Sequence, residues 1–447
     1  MTTRSDTHTL APAAPEQERT VLPAPEVPAE VFLNDYHDLD TAALYEMAQE
    51  LQLRVPGNSS KFQLIHDILS LCARRGSRIE VEGVLDLANG SGFGFLRWPR
   101  YNFAPTADCI YVSPGIVRRY GLEAGALLRG VVGIPRQKEK YLALAEVRTI
   151  EGIEAESWEA RTPFDRLTAL FPKDRILLEN KDLQCVSTRV VDLVAPLGKG
   201  QRGLIVAPPR SGKTILLKQI AQAIHANHPE IELMIVLVDE RPEEVTDFRE
   251  TVQAPVYSST FDEIPQRHIQ VAEIVLERAK RLVELRRDVV ILLDSLTRLT
   301  RGYNAIRGNS GRTGSGGVDA KALQMARRFF SAARNVEEGG SLTILASALI
   351  ETENRMDEVI FEEFKGTGNL EIQLDRELME HRIFPAIHLL KSGTRKDELL
   401  YHADEFPKVS LLRKQLAQVP MIEAMVKLVR AIGKTSTNAE LLLAGLK

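Results

Sequence analysis

The run Gly203-Leu-Ile-Val-Ala-Pro-Pro-Arg-Ser-Gly-Lys-Thr214 reads as an apolar strand passing into a loop that ends Gly212-Lys213-Thr214, with the helical Ile215-Leu-Leu-Lys-Gln-Ile220 after it. A nucleoside triphosphate needs backbone N–H groups around its β-phosphate, an ammonium at the β/γ oxygens and a hydroxyl on Mg²⁺ at a helix N-terminus. Lys213 and Thr214 supply the last two. Ala207 stands where the pattern G-x-x-x-x-G-K-[ST] has its first glycine, but the strand before and the helix after provide the context this chemistry requires. A second acid belongs at the end of another central strand, where a carboxylate reaches Mg²⁺ or its waters. Asp294 closes Val289-Val-Ile-Leu-Leu293 and fits that place, although a strand-ending Asp also caps helices. A third run, Met234-Ile-Val-Leu-Val-Asp-Glu-Arg241, ends in Asp239-Glu240-Arg241. One of these carboxylates would orient and deprotonate an attacking water, and the string leaves open which.

A different chemistry is written in Gly92-Phe-Gly-Phe-Leu-Arg97. On a strand, Phe93, Phe95 and Arg97 leave the same face. An open face would let the rings stack unpaired bases while Arg97 holds a phosphate or a ring plane. A face turned inward would make the rings core, as alternating aromatics in strands often are. The segment Arg301–Asp319, with Arg307 and Arg312 among many glycines, reads as neither helix nor strand. Such a loop either follows a nucleic-acid backbone closely or is an ordinary surface loop. Arg355 in Thr352-Glu-Asn-Arg355 and Arg395 in Lys391-Ser-Gly-Thr-Arg395 are further cations that surface ion pairing would also explain.

These groups need domains to position them, and 447 residues at 49.9 kDa suffice for two or three. Hydrophobic residues at 44% and charged residues at 26% exclude a disordered or fibrous chain. The apolar runs are strand-sized, well under the ~18 residues of a membrane span. Three cysteines, Cys72, Cys109 and Cys185, have neither metal spacing nor an even framework, and no secretory leader pattern opens the chain, so a reducing cytoplasm is expected. The net charge of −4 gives no overall basic field, and nucleic-acid binding must be local. Residues 1–40 carry eight acids against Arg4 and Arg19, so the acidity belongs to this end.

The pattern divides the chain into a disordered Pro- and acid-rich tail over 1–33, a small helical module over 34–77, a barrel of short strands over 78–152, a linker with lead-in strands over 153–190 and an α/β domain over 191–447. In the module Leu44, Met47, Ala48 and Leu51, then Ile65, Ile68, Leu69 and Cys72, fall at helical spacing on either side of Pro56-Gly-Asn-Ser-Ser60. A pair this short serves best by covering one end of the barrel. In the last domain strand runs alternate with helical stretches such as Ile264–Arg287 and Ala320–Asn335, the rhythm of a parallel sheet covered by helices.

Beyond residue 33 the chain resembles the Rho family of bacterial transcription termination factors, through GFGFLR (92–97), GKGQRGLIVAPPRSGKT (198–214), VDERPEEVTD (238–247), GGVDAKAL (316–323), DEVIFEEFKGTGN (357–369) and SGTRKDELL (392–400). The resemblance implies a RecA-like parallel-sheet ATPase core behind an OB-like, cold-shock-like barrel. It implies an RNA-dependent ATPase and helicase that works as a homohexamer with ATP and Mg²⁺ and pulls nascent RNA from RNA polymerase. On the barrel it assigns single-stranded RNA to Gly92, Phe93, Gly94, Phe95, Leu96 and Arg97, to Cys109, Ile110 and Tyr111, and to Glu139, Lys140 and Tyr141. In the core it assigns nucleotide contact to Gly198, Lys199, Gly200, Gln201, Arg202 and Gly203, to Arg210, Ser211, Gly212, Lys213, Thr214 and Ile215, and to Arg241 and Phe384. Thr214 and Asp294 would hold Mg²⁺, Glu240 would be the general base and Arg395 an arginine finger reaching a neighbour's γ-phosphate. Thr313, Gly314, Ser315, Gly316, Gly317 and Arg355 would line the central channel as a secondary RNA site. Two departures stand out. Arg355 occupies a lysine position, and Cys109 an aspartate position, where a thiol is a poor acceptor for cytosine's amine. Other ring ATPases, such as rotary subunits or DNA helicases, share the phosphate loop and Asp294 but not the aromatic pair. A non-motor RNA binder would use nucleotide only to lock its assembly.

Overall fold

The computed structural model describes residues 26–88, 90–135, 140–159, 161–307 and 315–446. Residues 1–25 of the expected tail, and the expected site residues Glu139, Thr313 and Gly314, lie outside the described residues, as does Arg312.

Asp40 and Ser60 cap the helices Thr41–Glu50 and Lys61–Arg74, each side chain accepting a backbone N–H of the first turn. Their apolar faces, with Leu44, Leu64, Ile65 and Ile68, share one core with Val81, Leu96, Trp98 and Ile110 of the barrel. The module is therefore the lid of the barrel. The barrel strands pair antiparallel: Arg78–Leu87 with Gly94–Arg97 and Leu127–Val132, Gly94–Arg97 with Ile110–Val112, and Leu127–Val132 with Leu144–Ile150. A bridge between Tyr111 and Ala143 joins the two ends. The tail expectation is corrected at its end: Glu30–Phe32 is a strand lying parallel to Arg78–Glu80, because Val31 finds a place in the shared core.

The second domain is a parallel sheet ordered Val256–Thr260, Glu232–Glu240, Asp288–Asp294, Ser341–Leu349, Arg202–Ala207 and Leu370–Gln373. Alternate residues of each strand feed two cores, as a sheet covered on both faces requires. Ile205, Ala207, Ile235 and Leu237 face the helices Lys213–Asn227 and Pro242–Thr251, whereas Leu204, Val206, Val236 and Val238 face Pro265–Glu284, Leu296–Arg307 and Ala320–Phe330. Several of the expected boundaries shift. The helix expected from Ile264 starts at Pro265, whose missing N–H costs nothing in a first turn. The one expected to reach Asn335 stops at Phe330, and Arg334–Val336 pairs antiparallel with Ser341–Leu349. Arg301–Arg307, expected as loop, closes the helix Leu296–Arg307, whose buried Leu296, Leu299 and Tyr303 hold it to the sheet. The segment read as linker adds to the core: Ala169–Leu170 pairs with Arg334–Val336, and Arg175–Ile176 pairs with Leu197–Gly198. The helix Val186–Val194 spans the expected boundary at 190. Among the described residues no helix is long and apolar enough to cross a membrane.

The candidate nucleotide cleft and nucleic-acid face

Every parallel strand of the core delivers its C-terminal end to the same edge of the sheet, the edge where ligands bind in open α/β sheets. Ala207 sits opposite Leu349 and Leu237 opposite Asp294, so the phosphate loop, Glu240 and Asp294 converge although they are far apart in sequence. The loop bends through Arg210 and Gly212, both with positive φ (65° and 89°), and ends on the first turn of Lys213–Asn227, whose unpaired N–H groups and dipole favour an anion. The cleft there holds about 580 Å³, with Arg210, Lys213, Thr214, Glu240 and Arg241 in its walls. Lys213 Nζ lies 2.5 Å from Asp294 Oδ1, which also accepts from Ser347 Oγ at 2.7 Å. Asp294 Oδ2 is buried with no hydrogen-bond partner. Thr214 Oγ1 donates to Glu244 at 3.4 Å. Glu240 is buried, and that burial, with the Asp294 carboxylate as a second cause, raises its pKa above the ordinary glutamate value. Asp239, the other open candidate for base, is held by Arg298 at 3.0 Å. Sequence reasoning missed Arg298. It lies one turn beyond Asp294, on a helix that starts directly from the strand, and that spacing was the available signal. Half-exposed Phe384 stands beside the loop, its Cε1 4.0 Å from where a Cβ on Gly212 would lie. Ile215 is exposed at the cleft rim.

Gly198, Lys199, Gly200, Gln201, Arg202 and Gly203 do not meet this cleft within one chain. They lie at or before the N-terminal end of the strand Arg202–Ala207, about 16 Å of strand away from the loop. Lys199 pairs with Asp288 at 2.7 Å, Gly200 N donates to Thr343 and Gly203 packs on Leu345 and Leu370. Instead Asn369 ties this segment to Arg395. Its Oδ1 accepts from Gln201 Nε2 at 2.7 Å and from Arg202 N at 2.8 Å, and its carbonyl accepts from Arg395 N at 2.8 Å. Exposed Arg395 lines a separate cleft of about 260 Å³ with Lys365 and Lys391. The chain thus carries a phosphate loop on one edge and a cationic patch on another.

On the barrel, Phe93, Phe95 and Arg97 are partly exposed and outside the shared core, while Gly94, Leu96 and Trp98 are buried. The rings are therefore surface, not core. Phe95 gathers Phe93, Tyr111 and Tyr141 at centroid distances of 6.1, 5.8 and 5.0 Å. Arg97 lies 5.1 Å over Phe95, and Lys140 lies 5.2 Å over Tyr141. Two assignments are corrected: Leu96 and Ile110 point into the barrel core, because alternate strand residues must face opposite ways. Gly94 is buried backbone, and a Cβ there would come within 2.5 Å of the Asp86 carbonyl. Cys109 is buried beneath the face, its Sγ accepting from Arg97 Nη1 at 3.3 Å, while Arg97 Nε donates to Asp86 at 3.1 Å. Sequence reasoning did not single out Asp86.

Ser315–Gly317 form a short turn, and Gly316 (φ 72°) packs against the start of the helix Arg355–Lys365, so close that a Cβ would lie 3.1 Å from the Arg355 carbonyl. Arg355 is exposed. Arg301 reaches Asp357 through both Nε and Nη2, at 2.9 and 2.5 Å, and so braces the helix Leu296–Arg307 against the helix Arg355–Lys365.

Comparison with known proteins gives two family matches: the Rho termination factor RNA-binding domain over residues 81–156, and the ATP synthase alpha/beta family nucleotide-binding domain over residues 187–394. The chain is 52% identical over 440 residues to the transcription termination factor Rho of Akkermansia muciniphila, covering 97% of this chain and 92% of that protein. It is 51% identical over 407 residues to that of Aquifex aeolicus (90% and 93%) and 48% identical over 411 residues to that of Bacillus subtilis (92% and 95%). Among solved structures, an ATPase from the type III secretion system of pathogenic bacteria is similar in fold, with a TM-score of 0.53 at 20% identity over 63% of this chain and 86% of that one.

Proposed function

The chain belongs to the transcription termination factor Rho family, an RNA-binding, ATP-hydrolysing class, and from that premise we propose that it forms a homohexameric ring that pulls nascent RNA out of the RNA polymerase elongation complex. The observation that carries this reading is the union, on one chain, of a partly exposed face of stacking rings and a phosphate-loop cleft lined by Lys213 and Glu240, with Asp294 bonded to Lys213 beneath it. The rings of Phe93, Phe95, Tyr111 and Tyr141 stack unpaired bases, a mode open to any single strand because every base has a π-face. In the cleft Lys213 exchanges its Asp294 contact for the β/γ oxygens of ATP, Phe384 takes the base, and Arg241 lies at the same wall. Glu240, burdened by burial and a neighbouring carboxylate, is a better proton acceptor than an exposed glutamate and serves as the base for the attacking water.

The orphaned Asp294 Oδ2 and the Thr214 hydroxyl are hard oxygen donors, which fits Mg²⁺ held jointly with phosphates and water. When bound, Mg²⁺ supplies charge neutralisation at the phosphates. Among the described residues no group of three or more His, Cys, Asp or Glu could hold a metal ion. Arg395 acts on the triphosphate of an adjacent protomer. The segment Gly198–Gly203 belongs with it, placing the finger through Asn369. Ser315, Gly316, Gly317 and Arg355 line the channel through which the 3′ part of the RNA passes.

ATP hydrolysis measured with and without defined homopolymer RNAs and DNAs tests this reading. Stimulation by RNA above single-stranded DNA is expected. A steady rate indifferent to any polynucleotide would overturn it, and equal stimulation by DNA would place the chain with DNA-translocating rings.

A further inference from the structure

Between barrel and core lies a cleft of about 670 Å³ whose lining residues, Gly92 apart, have none of these roles. Gly90 and Gly92, in the turn leading directly into Phe93, form its barrel wall. Its other wall is the helix pair Pro265–Glu284 and Ala320–Phe330. The second of these helices begins three residues after Gly317, so one end adjoins the channel turn. Arg328 lies about 12 Å further along its axis and lines the cleft below the barrel.

The charges of this cleft are unequal in their pairing. Asp86 is held by Arg97 at 3.1 Å, Glu277 by Lys280 at 2.7 Å, and Glu273 by the Tyr303 hydroxyl at 3.0 Å. Arg328 is exposed and its side chain makes no hydrogen bond or ion pair with any described residue, although its charge is felt by Glu273 and Tyr303. Lys321 is also exposed, with no carboxylate partner among the described residues, and it lies two turns from Arg328 on the same face of the helix. Arg307 packs between their levels, its Nη2 3.7 Å from Met325 Sδ. The three cations thus form a track from the channel turn to the foot of the aromatic face. Two of the three carboxylates are ion-paired and the third, Glu273, is hydrogen-bonded within the field of Arg328, so the guanidinium keeps its donors open to a polyanion.

We propose that this cleft is a third single-stranded RNA subsite, in which Arg328 holds a backbone phosphate of the strand passing from the barrel to the channel. The proposal rests on the reading that RNA occupies both ends of that path. The test compares the assembled wild-type protein with Arg328→Ala and Arg328→Lys, using a labelled RNA just long enough to cover the rings and one long enough to reach the channel, across a salt series. For Arg328→Ala, affinity for the short RNA is expected to be unchanged. Its affinity for the long RNA should fall, with the slope of log Kobs against log salt shallower by about 0.7, the share of one single-strand phosphate contact. Arg328→Lys should retain the wild-type slope. An unchanged slope for the long RNA in Arg328→Ala would overturn the subsite, as would an equal loss for both lengths. Unchanged slopes with weakened assembly would assign the cleft to contact between protomers and also overturn it. Wild-type protein that binds neither RNA would instead remove the reading beneath it.

Discussion

The barrel face and the phosphate cleft solve opposite problems. The proposed barrel site uses partly exposed rings on alternate residues of one short strand and its neighbours, so little desolvation would oppose it and one protomer would present a finished surface. The cleft works with buried charge: Lys213 on Asp294, Glu240 beside them and Arg298 behind. Such groups tolerate burial only while paired, and the finger that would complete the chemistry, Arg395, is displaced to another edge of its own chain. On the proposed reading, recognition is complete in one protomer and hydrolysis is not.

The strongest attempt to break that contrast is to separate the two halves of the catalytic site. Arg395→Ala should lower kcat by about 10³–10⁵, and Lys213→Ala should abolish hydrolysis, with short-RNA binding to the barrel retained in both. Mixing the two inactive variants should restore measurable ATPase, since a Lys213→Ala protomer still lends its finger to an Arg395→Ala neighbour. Mixtures that stay inactive would show that the finger acts within one chain.

Glu240→Gln should cost about 10²–10⁴ in rate. Because the base must be ionised and its pKa is raised, the wild-type rate should fall as pH drops through a value above that of an ordinary glutamate. Any residual rate of the variant should lack that acid limb, and a limb that persists would assign it to another group.

On the barrel, Phe93→Ala or Phe95→Ala should weaken single-strand binding by about 1–3 kcal/mol per stack. The melting temperature should scarcely move, because these rings are not core. A collapse of stability with binding intact would reverse the contrast. The smallest effect belongs to Cys109. With Arg97 committed to Asp86 and the thiol, the native face should bind cytosine and uracil homopolymers comparably, and Cys109→Asp should shift preference toward cytosine by about 1 kcal/mol. A native protein already selective for cytosine would show that another acceptor reads its amine.

Much of this organisation was legible in the residues themselves. Continuous apolar runs ending in Asp294 and Glu240, and a loop ending Gly212-Lys213-Thr214 before a helix, specify a covered parallel sheet with chemistry at its C-terminal edge, because strand period and chain direction leave few alternatives. The glycine-rich stretch misled because composition speaks of the average residue, whereas Leu296, Leu299 and Tyr303 are enough to hold a helix to the sheet as far as Arg307. Period 2 placed Phe93, Phe95 and Arg97 on a common side but could not say which side faces water. That was decided only when the lid helices and the opposite strand faces filled the barrel, leaving the rings outside. Nor could one dimension show that Gly198–Gly203, a few residues before the loop, ends at the far side of the sheet against Arg395. Distance along a strand is distance in space, and which residues from elsewhere wait at each end is a matter of strand order, settled by packing alone.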